Sequence, residues 1–245
     1  MSMIITLTCT EGVVMGADSA CSMLTVIDLQ SLLGGDIAEA YKKAVGNNLY
    51  GGNANTVGSH ITSDTFQKLH VMKGNNIAFA ECNEWVTRNS QKSIKPYLNY
   101  FCLNNHFDNP KTAAYELLNY VKKLDPTMDA KFHVCGFNFE GEIPLPEFWF
   151  VSVLNNEARA IASKGSGGLC FSGANDYLGP YIEQINKNMI YYSLQDAVDL
   201  TMFAFEMSMK LERFLKLEKH ITPPIDLLVI TQSGVEWISK KKLEI

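Results

Sequence analysis

With 245 residues, 47% hydrophobic and 19% charged, the chain is long enough to bury a substantial core and reads as an ordinary globular protein. A formal net charge of -5, with no basic cluster beyond the Lys240-Lys241-Lys242 run (read as a solvated end), excludes a nucleic-acid groove. No apolar run approaches membrane-spanning length, no basic segment precedes the first apolar stretch, and the six cysteines show no CxxC or Cys/His spacing. A cytoplasmic location is therefore expected, with the cysteines as small buried hydrophobes in a reducing compartment and no cofactor or metal.

Two β-rich runs come first, Ile4 to Cys9 and Val13 to Ala17, joined at a Glu11-Gly12 turn signal. Residues 22 to 63 then break the pattern with dense glycine punctuation, including Gly34-Gly35, Gly46 and Gly51-Gly52. Within them, residues 36 to 44 could form a short helix. Strands are predicted at Lys68–Met72 and Asn76–Ala80, followed by a helix from about Trp85 to Leu103. A second helix starts with Asn109 as N-cap and Pro110 in its first turn, and Ala114, Leu117, Leu118 and Val121 supply its apolar stripe. Strands follow at about 131–138, 147–154, 157–162 and 168–172. Helices are predicted from Tyr177 to Ile185 and from Leu194 to Leu217, the latter capped by Ser193. Ile225–Ile230 and Val235–Ile238 close the chain as a hairpin. Strands, two helices, strands, two helices, strands is an order that two face-to-face antiparallel sheets with outer helices would satisfy. There is no repeat or linker, so residues 1–245 are expected to form a single α+β domain with a Gly-rich insertion at about 22–63.

The chemistry begins at Ser2. If Met1 is removed, as the small second residue permits, one residue carries both a hydroxyl nucleophile and a free amine. An α-amine with a pKa near 8 can serve as the base that hydroxyl needs. The strand behind it runs through Gly12-Val13-Val14-Met15-Gly16-Ala17 into Asp18-Ser19. Further along come Phe66-Gln67-Lys68-Leu69-His70-Val71, Phe132-His133-Val134-Cys135-Gly136-Phe137, Gly168-Leu169-Cys170-Phe171-Ser172-Gly173 and Ser193-Leu194-Gln195-Asp196-Ala197.

In this order and over nearly the whole chain, these segments resemble the proteasome family of N-terminal nucleophile hydrolases, specifically its β-type subunits. The resemblance implies a four-layer αββα sandwich. Residue by residue, it puts Ser2 at the nucleophile, Asp18 at the active-site aspartate, Lys68 at the catalytic lysine and Ser172 at the hydroxyl beside the terminal amine. It also implies a ring-like homo-oligomer, a regulatory ATPase as a candidate partner, and a peptide or other amide substrate. Three positions depart from the pattern. Cys82 stands where the family places a glycine whose amide donates to the oxyanion. Where the family has an Asp-x-x-Ser-Gly-Gly turn, this chain reads Lys219 to Pro224, with Thr222 as a stand-in hydroxyl and Glu218 one residue from the missing carboxylate. Ala20 replaces the basic residue that often follows Asp-Ser. The resulting expectation is a proteasome-like serine peptidase, with a catalytically silent assembly or binding subunit as the alternative.

Overall fold

In a computed structural model, the protein is described over residues 3–28, 55–63, 66–88, 90–173, 189–214 and 221–241. Twelve strands and three α-helices occupy these residues, in the order β1 (Met3–Thr8), β2 (Val13–Ala17), β3 (Cys21–Asp28), β4 (Asn55–Ser63), β5 (Leu69–Val71), β6 (Ile77–Asn83), α1 (Lys95–Asn104), α2 (Pro110–Leu124), β7 (Ala130–Asn138), β8 (Leu145–Ser152), β9 (Glu157–Ala162), β10 (Gly168–Gly173), α3 (Leu194–Phe214), β11 (Asp226–Thr231) and β12 (Gly234–Ser239). One five-stranded sheet runs β10-β1-β2-β11-β12, the other β5-β6-β7-β8-β9, and every pairing within them is antiparallel.

Strand alternation builds the layers. On β1, Met3, Ile5 and Leu7 face α3, where they meet Ala197, Ala204 and Phe205. Ile4, Val13, Met15 and Ala17 face the second sheet and pack among Ala78, Ala80, Cys135 and Phe148. On β6 the parity is reversed: Ile77 and Phe79 turn outward to Leu98, Phe101 and Leu117 of α1 and α2. Being buried on both faces explains why these strands read as unbroken apolar runs. The result is an α+β sandwich of four layers, α1/α2, sheet, sheet, α3, as expected from the order of elements. Gly16 is needed for the last contact, because a Cβ there would lie 2.6 Å from the Phe205 ring and 2.9 Å from Thr201 Cγ2.

Local signals set most of the elements. Asn109 caps α2 by accepting from Thr112 N–H at 2.7 Å, and Pro110 takes the first turn, where its missing N–H costs nothing. The helix expected from Trp85 instead starts at Lys95. Residues 85–94 close a loop through the Val86–Ser93 bridge, with Thr87 N–H to Lys92 C=O at 2.9 Å and Ile94 N–H to Trp85 C=O at 2.9 Å. Pro96 falls at the start of α1, the only part of a helix that accepts it readily. The insertion is also more regular than its glycines imply, for β3 and β4 form a two-stranded antiparallel ladder from Cys21↔Ser63 to Asp28↔Asn55. The helices proposed at 36–44 and 177–185 lie outside the described residues. Of the long final helix, residues 194–214 are described.

Candidate active site

Asp18 is fully buried at the end of β2, where four donors converge on its carboxylate. Oδ1 accepts from Met3 N–H at 2.8 Å and Lys68 Nζ at 2.5 Å; Oδ2 accepts from Ala20 N–H at 2.9 Å and Thr222 N–H at 3.4 Å. Lys68 enters from the other sheet. Its backbone C=O takes Glu81 N–H at 3.0 Å, which registers it against β6, while its side chain crosses the sandwich and retains only 3% exposure. A buried charge pair survives only when it is closely paired and hydrogen-bonded, and this one is both. Met3 N–H, which Asp18 accepts, belongs to the residue that follows Ser2; Ser2 itself lies outside the described residues, as does Glu218.

Ser172 lies on β10 directly across from Ile4 and on the same face of the sheet. Its hydroxyl sits 2.8 Å from His133 Nε2, and the other ring nitrogen, Nδ1, sits 2.9 Å from Thr6 Oγ1. Burial, reinforced by the charge of Arg159, lowers the His133 pKa to about 3, so the ring is neutral at physiological pH. Thr222 holds the carboxylate through its backbone, and its C=O also receives Ser19 N–H at 3.1 Å. The Thr222 hydroxyl is buried and has no hydrogen-bond partner among the described residues.

Cys82, which the resemblance puts at the oxyanion donor's position, lies near the end of β6. Glu81 N–H points to the β5 edge, so ladder alternation turns the Cys82 amide toward its partner Lys131 on β7. The next amide, that of Asn83, faces the Lys68 edge, and Asn83 takes a φ of 72°, which asparagine tolerates better than most residues. Burial pushes the Cys82 thiol up to about 12, with Lys131 and Lys68 only partly offsetting it, so it is no thiolate. Neither Asn83 nor His133 is among the site residues expected from the sequence.

Lys241 departs from the reading of 240–242 as a solvated end, whereas Lys240 is exposed and Lys242 lies outside the described residues. The Lys241 ammonium is buried against Asp226 Oδ2 at 2.8 Å and donates to Ser19 Oγ at 2.7 Å and Phe66 C=O at 2.8 Å. Ser19 also donates to Pro224 C=O. A third buried group lies on the outer face of β6, where Lys95 contacts both Glu81 and the Gln67 C=O, and His70 stacks on Phe79 with centroids 4.8 Å apart. Burial works to raise Glu81, but the Lys95 charge, helped by His70, leaves it lowered. Among the described residues, no group of three or more His, Cys, Asp or Glu is placed to hold a metal ion.

No protein-family model and no curated protein sequence matches the chain. Solved structures do match it. An Anbu protein from Hyphomicrobium sp. strain MC1, a Gly-1 mutant, superposes with a TM-score of 0.59 at 14% identity over 99% of this chain and 86% of its own. Anbu from Yersinia bercovieri, described as an ancestral beta-subunit, gives 0.58 at 15% identity over 98% and 88%. At these identities the likeness is one of fold. It corrects the assignment to the β-type proteasome subunits, because the structures matched are Anbu proteins.

Proposed function

We propose that the chain is an N-terminal serine hydrolase of amide bonds, with a peptide as the most natural substrate and the cytoplasm as its location. The observation that carries this reading is the sharing of Asp18 Oδ1 between the Lys68 ammonium and Met3 N–H, which ties a buried cation to the amide of the residue after Ser2. In the proposed reaction the neutral α-amine takes the Ser2 hydroxyl proton and the oxygen attacks the carbonyl carbon. Lys68 stabilises the developing negative charge from one side, and the Asn83 amide is better directed than that of Cys82 to meet the oxyanion. The α-ammonium returns its proton to the leaving amine, giving an ester at Ser2. Water, deprotonated by the same amine, then releases the acid. Ser172 is assigned to the hydrogen bond with that amine, and Thr222 to holding Asp18. Glu218, proposed only as a supporting carboxylate, carries no step. A homo-oligomer and a regulatory ATPase are part of the same proposal.

The test needs no knowledge of the natural substrate. Intact mass of untagged protein should show a chain starting at Ser2 with an unmodified amine. A hydroxyl-acylating β-lactone should then add once, to the peptide beginning at Ser2, and should fail to add in Ser2→Ala. A folded protein with a free Ser2 amine and no adduct would point to the catalytically silent alternative.

A further inference from the structure

His133 lies on the inter-sheet face of β7, and both of its hydrogen-bond partners belong to the opposite sheet, Ser172 on β10 and Thr6 on β1. Its ring is wedged against Phe148 and Phe150, with centroids 5.0 and 6.0 Å away, which limits its rotation. Two apolar side chains would join the sheets at least as well as this buried polar trio, so sheet contact alone does not account for it.

A neutral imidazole carries one N–H, and the partners decide where it sits. With the proton on Nε2, the ring would donate to Ser172, whose own hydroxyl hydrogen would then need another acceptor. The sulfurs of Cys82 and Cys170 are within reach of Ser172, but burial pushes the two thiols up to about 12 and about 11, and a neutral thiol accepts only weakly. In the proposed reaction the Ser172 hydrogen would then compete for the lone pair of the terminal amine, which is needed as the base. With the proton on Nδ1, the ring donates to Thr6 Oγ1 and Ser172 donates to Nε2, so the hydroxyl hydrogen left over is that of Thr6 on β1 and not that of Ser172.

We infer that His133 is a positioning residue. It holds the Ser172 hydroxyl hydrogen at Nε2, leaving the Ser172 oxygen to accept from the terminal amine rather than compete for its lone pair. The role and the direction of the hydrogen bonds rest on the proposed function; the contacts of the ring with Ser172 and Thr6 do not.

The experiment has two arms. Magic-angle-spinning 15N NMR of the sedimented full chain with labelled histidine reads the tautomer, with the His133 signals identified by their loss in His133→Gln. A pyrrole-type Nδ1 and a pyridine-type Nε2 are expected, unchanged between about pH 5 and 8. Ser172→Ala should move the Nε2 resonance, and Thr6→Val should move Nδ1. A proton on Nε2, or an Nε2 signal indifferent to Ser172→Ala, overturns the inference. The second arm measures β-lactone acylation of Ser2. His133→Phe should slow it about tenfold, less than the roughly 10²–10⁴-fold that loss of an acid–base group itself costs, while His133→Gln, whose amide oxygen can still accept, recovers most of the rate. Equal rates in wild type and a folded His133→Phe overturn the positioning role. Failure of the wild type itself to acylate overturns the catalytic reading, and the tautomer result still decides the hydrogen-bond direction.

Discussion

Removing the Asp18 carboxylate would strand the Lys68 ammonium in a site with 3% exposure. Breaking a buried pair from one side costs about 3–5 kcal/mol, so Asp18→Ala should unfold at markedly lower urea than wild type. The double variant Asp18→Ala/Lys68→Met should regain part of that loss, since no charge is then left unpaired. Additive losses would show that the pair does not act as a unit. His133 gives a second residue-level outcome. Its folded-state pKa lies below the unfolded value, so the unfolded chain gains a proton below 6.5 that the folded protein refuses until about 3. Stability from this group is complete above 6.5 and drains away as pH falls toward 3. Between pH 7 and 4.5 the wild type should therefore lose about 2–3 kcal/mol more than His133→Gln, measured as the difference in urea midpoints. Parallel losses in the two proteins would remove His133 from the pH response. Asp18, Lys68 and Ser172 were legible in the sequence because each marks the end or edge of a strand in a recognisable order. His133 was not, because its partners stand 39 and 127 residues away and an isolated histidine in an apolar strand carries no local signal. Asn83 was hidden by counting along the chain, where the ladder's alternation decides which amide faces Lys68.

Elements with strong local chemistry were the readable ones. The N-cap and proline of α2 and the apolar runs of β1 and β2 need no distant partner to declare themselves. The helix expected from about Trp85 gives way to a loop up to Ile94, and only the Val86–Ser93 pairing reveals it. β3 holds no glycine and β4 only Gly58, so what concealed these strands was the glycine punctuation between them, at 34–35, 46 and 51–52, and not their own composition. The two strands begin and end beside the proposed site. Their base is tied from outside the hairpin, by Phe66 N–H to Ser19 C=O at 3.1 Å and by Lys241 to both residues. Replacing residues 22–63 with a short Gly/Ser turn should therefore leave the melting temperature close to wild type. If the hairpin covers the site, the deletion should change acylation rates and the preference between small and large acylating reagents. Unchanged rates would leave the hairpin without a gating role, and a collapsed fold would make it part of the core.

Both outer layers of the sandwich carry large apolar side chains in the open. On α1 these are Tyr100 and Leu103, on α3 Phe203 and Phe214, each between 57% and 76% exposed. Single exposed hydrophobics are ordinary, but two opposite layers carrying them together present two separate sticky faces on one molecule. Identical chains with two such faces can associate head to tail, and a closed ring leaves neither face in water. Light scattering at micromolar concentration should accordingly give a mass that is a whole multiple of 27.3 kDa. Tyr100→Glu tests the α1 face and Phe203→Glu the α3 face. If both faces close one ring, either substitution should lower the mass, and the double variant should be monomeric with an unchanged circular dichroism spectrum. A wild type that scatters as a single chain would refute self-association, and a mass lowered by only one substitution would reduce it to a single interface and a dimer.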